Sequence, residues 1–443
     1  MIVEQQLPEL ATYRKLEKAL PMVENFDYCK FVSPNGNSEL PVHRWFRLKE
    51  SFSADLLREI LESVVPSVGK KIRLLDPFCG VGTSLLASQE MLTSGYDVEA
   101  IGIERNPFIA FAARTKVKWP EIDDTDLMSL GERLLKEAEK FSPRIPPLSS
   151  LTSGKCISRY MSRRILAIRE AVQLNGNSVT HDAILLGLAA AIEPVSRVRK
   201  DGRALRIVNK VHPNLSVLLR ERWATIAADV KFLRNTLSAP RIPQVILGDG
   251  RSLSRLGIKR GSIDLILTSP PYPNNIDYSE VYKLELWLLG FLRKQQEFLA
   301  LRRSTLRSHP TCSNPEPPSG FIEEIRRGKL RALLQPLLKR IEMRPEKWRQ
   351  RVLIGYFSDI WLSLREQYRC LRKGGYAVLV IGNSLHGGSD APYVIPADIV
   401  VATIGQCLGF HIERVTIARA LKRRLSDNHF LRESLIILKK LDE

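Results

Sequence analysis

Residues 262–272 read Ser-Ile-Asp-Leu-Ile-Leu-Thr-Ser-Pro-Pro-Tyr, a short apolar run followed by a proline-rich end. The apolar run is typical of a strand buried in a parallel sheet. The strand must end before Pro270, because proline supplies no N–H to a neighbouring strand. Open α/β sheets bind their ligands in loops at the carboxyl ends of such strands. We therefore predict an α/β fold whose site contains Ser269, Pro270, Pro271 and Tyr272.

The chemistry of this loop suits a flat base that carries an exocyclic amino group. The Ser269 hydroxyl and the Pro270 carbonyl can accept the amino protons, and the Tyr272 ring can stack on the base. The alternative is a proline-rich turn that merely joins a strand to a helix. A second motif argues against that alternative.

The second motif is residues 74–83, which read Leu-Leu-Asp-Pro-Phe-Cys-Gly-Val-Gly-Thr. A short strand ends near Leu75, and a helix begins near Thr83. Gly80 and Gly82 let the backbone pass close to a ligand as it turns into that helix. No lysine follows the glycines, which argues against a nucleotide-phosphate loop.

Together the two motifs resemble those of DNA amino-methyltransferases that use S-adenosylmethionine. The resemblance implies that Asp76 faces the amino group of the cofactor and that Gly80 and Gly82 make room for its amino-acid part. Phe78 and Thr83 belong to the same implied cofactor set. In this family the Ser form of the catalytic loop is commoner among enzymes that methylate N4 of cytosine. The Asp form is commoner among those that methylate N6 of adenine.

Acidic residues follow two further predicted strands. Glu104 ends the strand that contains Ile101 and Ile103, where a carboxylate can hold both ribose hydroxyls of a nucleoside. The neighbouring Asn106 is assigned to the cofactor site with it. Asp249 follows residues 245–247, and the resemblance implies that it hydrogen-bonds the adenine of the cofactor. The alternatives are a surface glutamate and a simple turn residue.

The amino-terminal residues 43–53 are basic and aromatic, and their placement resembles the segment that covers the cofactor in this family. Phe52 is the predicted contact. A surface segment that touches DNA is the alternative.

These elements predict a Rossmann-like, seven-stranded, mostly parallel sheet of the class I methyltransferase type, with an antiparallel final pair of strands. The connection from Pro120 to Gln244 is about 120 residues long, far beyond an ordinary loop. We predict these units: 1–60, an N-terminal segment covering the cofactor site; 61–120, the first half of the methyltransferase domain; 121–243, a helical insertion with a candidate DNA contact; 244–292, the catalytic-loop part; 293–352, a basic candidate target-recognition segment; and 353–443, the second half of the domain.

Arginines in two of these units are the predicted DNA contacts. They are Arg199 and Arg203 in the insertion, and Arg302, Arg303 and Arg307 in the basic segment. Arginine can bond a guanine edge in a bidentate manner and can neutralise phosphates. Solvated charged segments are the alternative.

The bulk properties agree with a polyanionic partner. The chain has 443 residues, a formal net charge of +19 and a pI of about 9.8. Charge alone would fit DNA, RNA or an anionic membrane. No apolar run approaches the length of a membrane span, and the amino terminus lacks the features of a signal peptide. We expect a cytoplasmic, nucleoid-associated protein of a bacterium or archaeon.

The six cysteines form no Cys-x-x-Cys pair, so no structural zinc site is expected. Disulfides are not expected either, because the cytosol is reducing. Cys79 is interpreted as a small packing residue.

The predicted function is sequence-specific methylation of a base flipped out of double-stranded DNA, at N4 of cytosine. A restriction–modification setting with a cognate nuclease is implied by the resemblance alone. The alternatives are N6 of adenine, an amino group in RNA, and an inactive nucleic-acid-binding relative. The sequence predicts neither the recognition sequence nor the oligomeric state.

Overall fold

The computed structural model describes residues 9–65, 71–200, 205–237, 240–342, 348–387, 392–421 and 429–442. Its strands are β1 (Met22–Glu24), β2 (Lys71–Asp76), β3 (Asp97–Glu104), β4 (Val198–Lys200), β5 (Leu205–Ile207), β6 (Gln244–Leu247), β7 (Ile263–Thr268), β8 (Leu371–Gly382), β9 (Ser384–His386), β10 (Tyr393–Ile395), β11 (His411–Ala420) and β12 (Arg432–Lys439). Within these ranges the main sheet has eight strands in the order β1-β11-β12-β8-β7-β2-β3-β6. The remaining strands form two small hairpins, β4–β5 and β9–β10.

The seven predicted strands of the sheet are confirmed, and β1 adds an eighth. All neighbouring strands are parallel except β12, which is antiparallel to both β8 and β11. The predicted antiparallel pair therefore exists, but it does not form the edge of the sheet. The edge strand on that side of the sheet is β1, which is parallel to β11, with Met22 opposite Val415.

The helices of the described ranges cover both faces of the sheet. They are α1 (Glu9–Glu17), α2 (Cys29–Val32), α3 (Asp55–Ser63), α4 (Thr83–Glu90), α5 (Pro107–Val117), α6 (Leu127–Ala138), α7 (Ser149–Thr152), α8 (Arg159–Asn175), α9 (Val179–Val195), α10 (Leu215–Thr236), α11 (Tyr278–Val281), α12 (Lys283–Leu288), α13 (Gln295–Ser304), α14 (Ser319–Arg326), α15 (Leu330–Glu342), α16 (Trp348–Cys370) and α17 (Ala397–Cys407). None of them is long and apolar enough to cross a bilayer.

Strand β7 shows why its sequence is a continuous apolar run. Leu265 and Leu267 pack in the core that includes α4 and α5, whereas Ile266 packs in the opposite core with α16 and α17. Successive side chains of a strand point to opposite faces, so a strand covered on both faces must be apolar throughout.

The insertion folds as α6, α8, α9 and α10, packed on one another and on α5. Trp223 is fully buried among them, and Gly131 and Gly187 leave the space that its ring fills. The basic stretch predicted as a turn between helices is the β4–β5 hairpin, with Arg199 on β4. Arg203 lies outside the described residues.

Part of the basic segment 293–352 packs against the main sheet and its helices. Leu333, Leu334 and Leu337 of α15 are buried in the same core as α17. Basic side chains of the segment, such as Arg327 and Arg331, are turned to solvent.

Candidate active site

A cavity lies where the loops that follow β2, β3, β6 and β7 meet. Its lining includes Leu48, Glu50, Pro77, Phe78, Gly80, Ile103, Glu104, Asn106, Asp249, Ser269, Pro271, Tyr278, Tyr282, Ser304, Thr305, Leu306, Ser308 and His309. The carboxyl ends of parallel strands meet at one edge of a sheet, so loops that are far apart in sequence converge here. Both sequence motifs therefore contribute to a single cavity.

Asp76 lies beneath residues 77–82, the predicted cofactor loop, and both of its carboxylate oxygens accept hydrogen bonds within the protein. Its Oδ1 accepts hydrogen bonds from the Phe78 N–H (3.1 Å) and the Thr268 hydroxyl (2.7 Å), and its Oδ2 accepts one from the Ser84 hydroxyl (2.5 Å). Burial raises the pKa of Asp76 to about 6, although these hydrogen bonds act to lower it. The carboxyl group thus ties the cofactor loop to the end of β7. Its contact with a cofactor stays a prediction.

The two glycines of the cofactor loop both adopt positive φ angles, +52° at Gly80 and +85° at Gly82. Gly82 caps α4, while Gly80 lines the cavity. A Cβ atom on Gly80 would lie 2.9 Å from Cδ1 of Leu48 on the opposite wall. The Thr83 hydroxyl is 2.9 Å from that of Ser51. Neither residue lines the cavity; both line a groove beside it, between the N-terminal segment and the insertion.

Glu104 and Asn106 form the wall at the end of β3. Burial raises the pKa of Glu104 to about 7, against the lowering effect of backbone N–H groups such as that of Asn106 (2.7 Å). The Asn106 Oδ1 caps α5 by accepting from the N–H groups of Phe108 and Ile109. Its Nδ2 is buried and has no hydrogen-bond partner among the described residues. A carboxyl group and an unpartnered donor on one wall are suited to a ligand with hydroxyl and acceptor groups.

Asp249 also lines the cavity, but Arg251 holds both of its oxygens. Nε and Nη2 of Arg251 lie 2.9 and 2.7 Å from the carboxylate. Burial acts to raise the pKa of Asp249, but the guanidinium outweighs it and the pKa is lowered. Arg251 also pairs with Asp359 (2.9 Å) and donates to the Ser304 carbonyl (2.7 Å).

In the predicted catalytic loop, residues 269–272, Ser269 and Pro271 line the cavity, and Pro270 is buried beneath them. The Ser269 hydroxyl donates to the Val380 carbonyl at 3.2 Å. Tyr272 is half-buried beside the cavity, and its Oη donates to Glu433 at 2.6 Å. Burial, aided by Glu433, raises the pKa of Tyr272 well above its usual range.

The N-terminal segment reaches the cavity through Leu48 and Glu50. Phe52 does not line it. Its side chain is buried in the core, and its carbonyl accepts from the Asn37 amide at 2.9 Å. Sequence reasoning also missed Tyr282 and the stretch 304–309, which close the cavity from outside the two motifs.

The arginines predicted to contact DNA have different surroundings. Arg199 and Arg303 are exposed. The Arg302 Nε donates to Asp277 at 2.7 Å, so Arg302 stabilises the loop that follows residues 269–272. Arg307 is buried and pairs with Asp359 at 2.8 Å. Arg307 is not positioned to touch DNA, because a buried, paired guanidinium is costly to extract.

A cysteine and a histidine lie beside the cavity at distances that invite comparison with a nucleophilic triad. The Cys312 Sγ is 3.2 Å from the His309 Nε2, and the His309 Nδ1 is 3.6 Å from Asp277. Burial raises the pKa of Cys312 to about 11, so the thiol stays protonated at neutral pH. Cys79 is buried in the core, as a packing residue would be. The described ranges contain no cluster of three His, Cys, Asp or Glu residues suited to a metal ion.

The sheet and its cavity define the class I methyltransferase fold. The chain is similar to the Type II methyltransferase M.AvaI of Nostoc sp., with 25% identity over 430 residues that cover 88% of this chain and 83% of that protein. It is also similar to the Type II methyltransferase M.BsoBI of Geobacillus stearothermophilus, with 25% identity over 452 residues that cover 91% and 85%. No family model matches the chain.

Two solved structures from Thermus thermophilus show a weaker likeness. One, described as a DNA modification methylase in complex with S-adenosyl-L-methionine, is 16% identical, has a TM-score of 0.24, and matches over 44% of this chain and 52% of its own. The other, TrmN, is 12% identical, has a TM-score of 0.27, and matches over 88% and 49%. At these TM-scores neither structure informs the site.

Proposed function

We propose that this protein is a DNA methyltransferase that transfers a methyl group from S-adenosylmethionine to an exocyclic amino group, at N4 of cytosine. The observation that carries the proposal is that Ser269 and Pro271 line the same cavity as Glu104, Asn106 and Asp249. The similarity to two Type II methyltransferases supports the DNA substrate and a restriction–modification role with a cognate nuclease.

S-Adenosylmethionine is the cofactor of the cavity, and it supplies a methyl group on a positively charged sulfur. The residues present fit it. Glu104, when ionised, would hold the ribose hydroxyls, and the unpartnered Asn106 Nδ2 would supply a donor beside them. The space above Gly80, which a Cβ would fill, would admit the amino-acid part. Asp249, whose carboxylate pairs with Arg251, would accept from the adenine amino group.

The Ser269 hydroxyl prepares the amine for transfer. Its hydrogen is directed to the Val380 carbonyl, which leaves its lone pairs to accept a proton of the substrate amine. The predicted second acceptor is the Pro270 carbonyl, although Pro270 itself does not line the cavity. Hydrogen bonds from both amine protons would make the nitrogen more tetrahedral and its lone pair more available. Bound S-adenosylmethionine would supply the methyl group by direct displacement: the N–C bond would form as the C–S bond breaks, and the sulfur would leave as a neutral thioether. The nitrogen loses its proton afterwards, so the loop needs no strong base.

The base reaches this cavity by leaving the DNA stack, since its amino group is inaccessible inside a duplex. Tyr272 offers a ring beside Ser269 on which an extruded base can stack. Serine in place of aspartate favours cytosine, and adenine N6 is the competing assignment.

The test is digestion to nucleosides of DNA from cells that express the protein, followed by mass spectrometry. We expect N4-methylcytosine with the intact protein and far less of it with Ser269→Ala. N6-methyladenine in its place would keep the reaction and overturn the base. The absence of any methylated base, when RNA from the same cells gains a methylated nucleoside, would overturn the DNA substrate.

Gly80→Ala is expected to weaken S-adenosylmethionine binding about tenfold, because the new methyl group meets Leu48 and the positive φ adds strain. Isothermal titration calorimetry measures this. Gly257→Ala is the matched control, since Gly257 also has a positive φ but has open space around it and does not line the cavity. Equal effects of both variants on binding would contradict the steric explanation.

A basic groove of about 1400 Å³ adjoins the cavity, and we propose that it receives a DNA strand. The N-terminal segment forms one side of the groove and the insertion forms the other. Leu48, Glu50 and Tyr282 line both groove and cavity. Cations that line the groove outnumber its acids, and they are Arg44, Arg47, Lys49, Lys116, Arg199, Lys200, Lys210 and Arg222. Of these, Arg44 pairs with Asp229, Lys200 pairs with Glu285, and Lys116 is buried. The acids there are Glu39, Glu50 and Glu193.

Arg47→Ala and Arg199→Ala are each expected to weaken binding of all DNA sequences alike, because exposed groove cations neutralise phosphates. Each should reduce the slope of log affinity against log salt by about 1. Fluorescence anisotropy between low and physiological salt measures this. Arg260→Ala serves as control, because Arg260 is an exposed residue just before β7, at the edge of the sheet opposite the cavity. An unchanged slope in both groove variants would place the DNA elsewhere.

A further inference from the structure

Glu433 is a buried carboxylate directly behind the catalytic loop. It lies on β12 with a relative exposure of 4%, and its Oε1 accepts the hydrogen bond from the Tyr272 hydroxyl at 2.6 Å. No local sequence pattern distinguishes it, since 161 residues separate it from Tyr272. It is therefore a partner that only the fold brings to the loop.

The second oxygen of Glu433 is held from the opposite side. Arg419 on β11 lies across from Glu433 in the antiparallel register, and its Nε donates to Oε2 at 2.6 Å. The Arg419 side chain is 33% exposed, so one side of the pair is solvated. Among the described residues, each oxygen of the Glu433 carboxylate thus accepts one hydrogen bond, and one of the two donors is Tyr272 of the predicted catalytic loop.

The Tyr272 ring is fixed at its face as well as at its hydroxyl. Gly382 is the register partner of Glu433 on β8, and a Cβ atom there would lie 2.6 Å from Cε2 of the Tyr272 ring. The Tyr272 ring therefore packs directly on the backbone of Gly382, where a side chain would not fit. The Ser269 Oγ is 3.5 Å from the Tyr272 Oη, so the same arrangement bounds the position of the serine hydroxyl.

We propose that Glu433, braced by Arg419, is a positioning residue that fixes the Tyr272 ring and, next to it, the Ser269 hydroxyl for methyl transfer. This inference rests on the proposed function. A carboxylate as buried as that of Glu433, even when paired, is seldom a net gain in stability over an apolar side chain of similar volume. The position of Glu433 directly behind residues 269–272 is explained by a role in orienting the Tyr272 and Ser269 side chains. A tyrosine held before the base arrives loses less side-chain freedom on stacking.

A double-mutant cycle tests the role in catalysis. Glu433→Gln and Tyr272→Phe are each expected to lower kcat/KM for DNA about tenfold, since the first removes the charge that strengthens their hydrogen bond and the second removes the bond itself. In the Tyr272→Phe background, Glu433→Gln should have less than about a twofold further effect, because its partner is already gone. S-Adenosylmethionine affinity should be unchanged in all three. Arg419→Lys should retain more activity than Arg419→Ala.

A residue that serves only stability would behave differently. Its effect would persist in full in the Tyr272→Phe background, and that result would overturn the proposal. Glu413→Gln is the matched control, because Glu413 is an exposed glutamate on β11 and does not contact Tyr272.

A second readout does not depend on methylation. In protein labelled with ¹³C at the tyrosine Cζ, the signal absent from Tyr272→Phe belongs to Tyr272. We expect it to shift in Glu433→Gln and Arg419→Ala but not in Glu413→Gln. An unmoved signal in Glu433→Gln would overturn the proposal. A shifted signal in a protein that methylates no nucleic acid would show the contact to be real and the proposed function, with its positioning role, to be wrong.

Discussion

Ser269→Ala is expected to lower kcat for DNA methylation about 100-fold, a loss typical of removing one oriented polar group from a reacting centre. The Ser269 hydroxyl already directs its hydrogen to the Val380 carbonyl. Its lone pairs are thus the side-chain acceptor that the catalytic loop offers to the amine. Alanine removes that acceptor and leaves the main-chain path and the cavity in place, so the affinity for S-adenosylmethionine should stay nearly unchanged.

Single-turnover methylation with radiolabelled cofactor measures this effect apart from product release. Ser262→Ala is the matched control, because Ser262 precedes the same strand at the opposite edge of the sheet and its hydroxyl donates to the Lys259 carbonyl. If Ser269→Ala kept its transfer rate within a few-fold of the unmodified protein, the hydroxyl would have no role in preparing the amine. The loop would then act through backbone carbonyls alone.

Glu104→Gln is expected to weaken S-adenosylmethionine binding about 100-fold, because a neutral amide replaces a carboxylate that accepts from two ribose hydroxyls. The same change should stabilise the cofactor-free protein at pH 8. Burial raises the pKa of Glu104 to about 7, so ionising it in the empty cavity is unfavourable. Calorimetry and chemical denaturation, each at pH 6 and pH 8, measure the two effects.

The pH dependence has a definite sign. An acid whose pKa rises on folding contributes stability that is fully present below its unfolded pKa of about 4.5 and is lost as pH rises through about 7. Cofactor affinity should change in the opposite direction and increase between pH 6 and pH 8, because ribose hydroxyls bind the ionised form. Glu104→Gln should flatten both trends. Asp76, with a pKa raised to about 6, adds a stability loss at slightly lower pH in both proteins.

Glu99→Gln provides the control on the same strand. Hydrogen bonding to Lys71 lowers the pKa of Glu99, and its side chain is 37% exposed, far from the cavity. It should leave cofactor affinity and its pH trend unchanged. If Glu104→Gln bound the cofactor as tightly as Glu99→Gln at pH 8, the ribose assignment of Glu104 would be wrong.

The two motif loops were predictable because short-range physics specifies them. Residues 263–267 are apolar without interruption and prolines follow at once, so a buried strand must end where a loop begins. Gly80 and Gly82 have the positive φ angles that their turn requires. The placement of Glu104 and Asp249 at strand ends follows from the same periodicity, since a polar residue after an apolar strand lies at the edge of the sheet.

The side-chain partners at that edge were not predictable in this way. Asp249 follows its strand as expected, yet Arg251 holds its carboxylate. Arg302 and Arg307 belong to a strongly basic segment, but their guanidinium groups are used by Asp277 and Asp359. Net charge counts cations without indicating which of them are already paired inside the fold.

The amino-acid sequence by itself determined the α/β class, the two loops that meet at the cavity, and the basic character of the chain. Each depends on residues that are close in sequence or on a simple sum. The tertiary structure alone decided that β1 forms the edge, that the basic groove lies between the N-terminal segment and the insertion, and that Glu433 and Arg419 hold Tyr272. Apart from the pair Arg419–Glu433, which are 14 positions apart, those contacts join residues more than 100 positions apart. Sheet register and burial set them, and no local pattern of residue types encodes either.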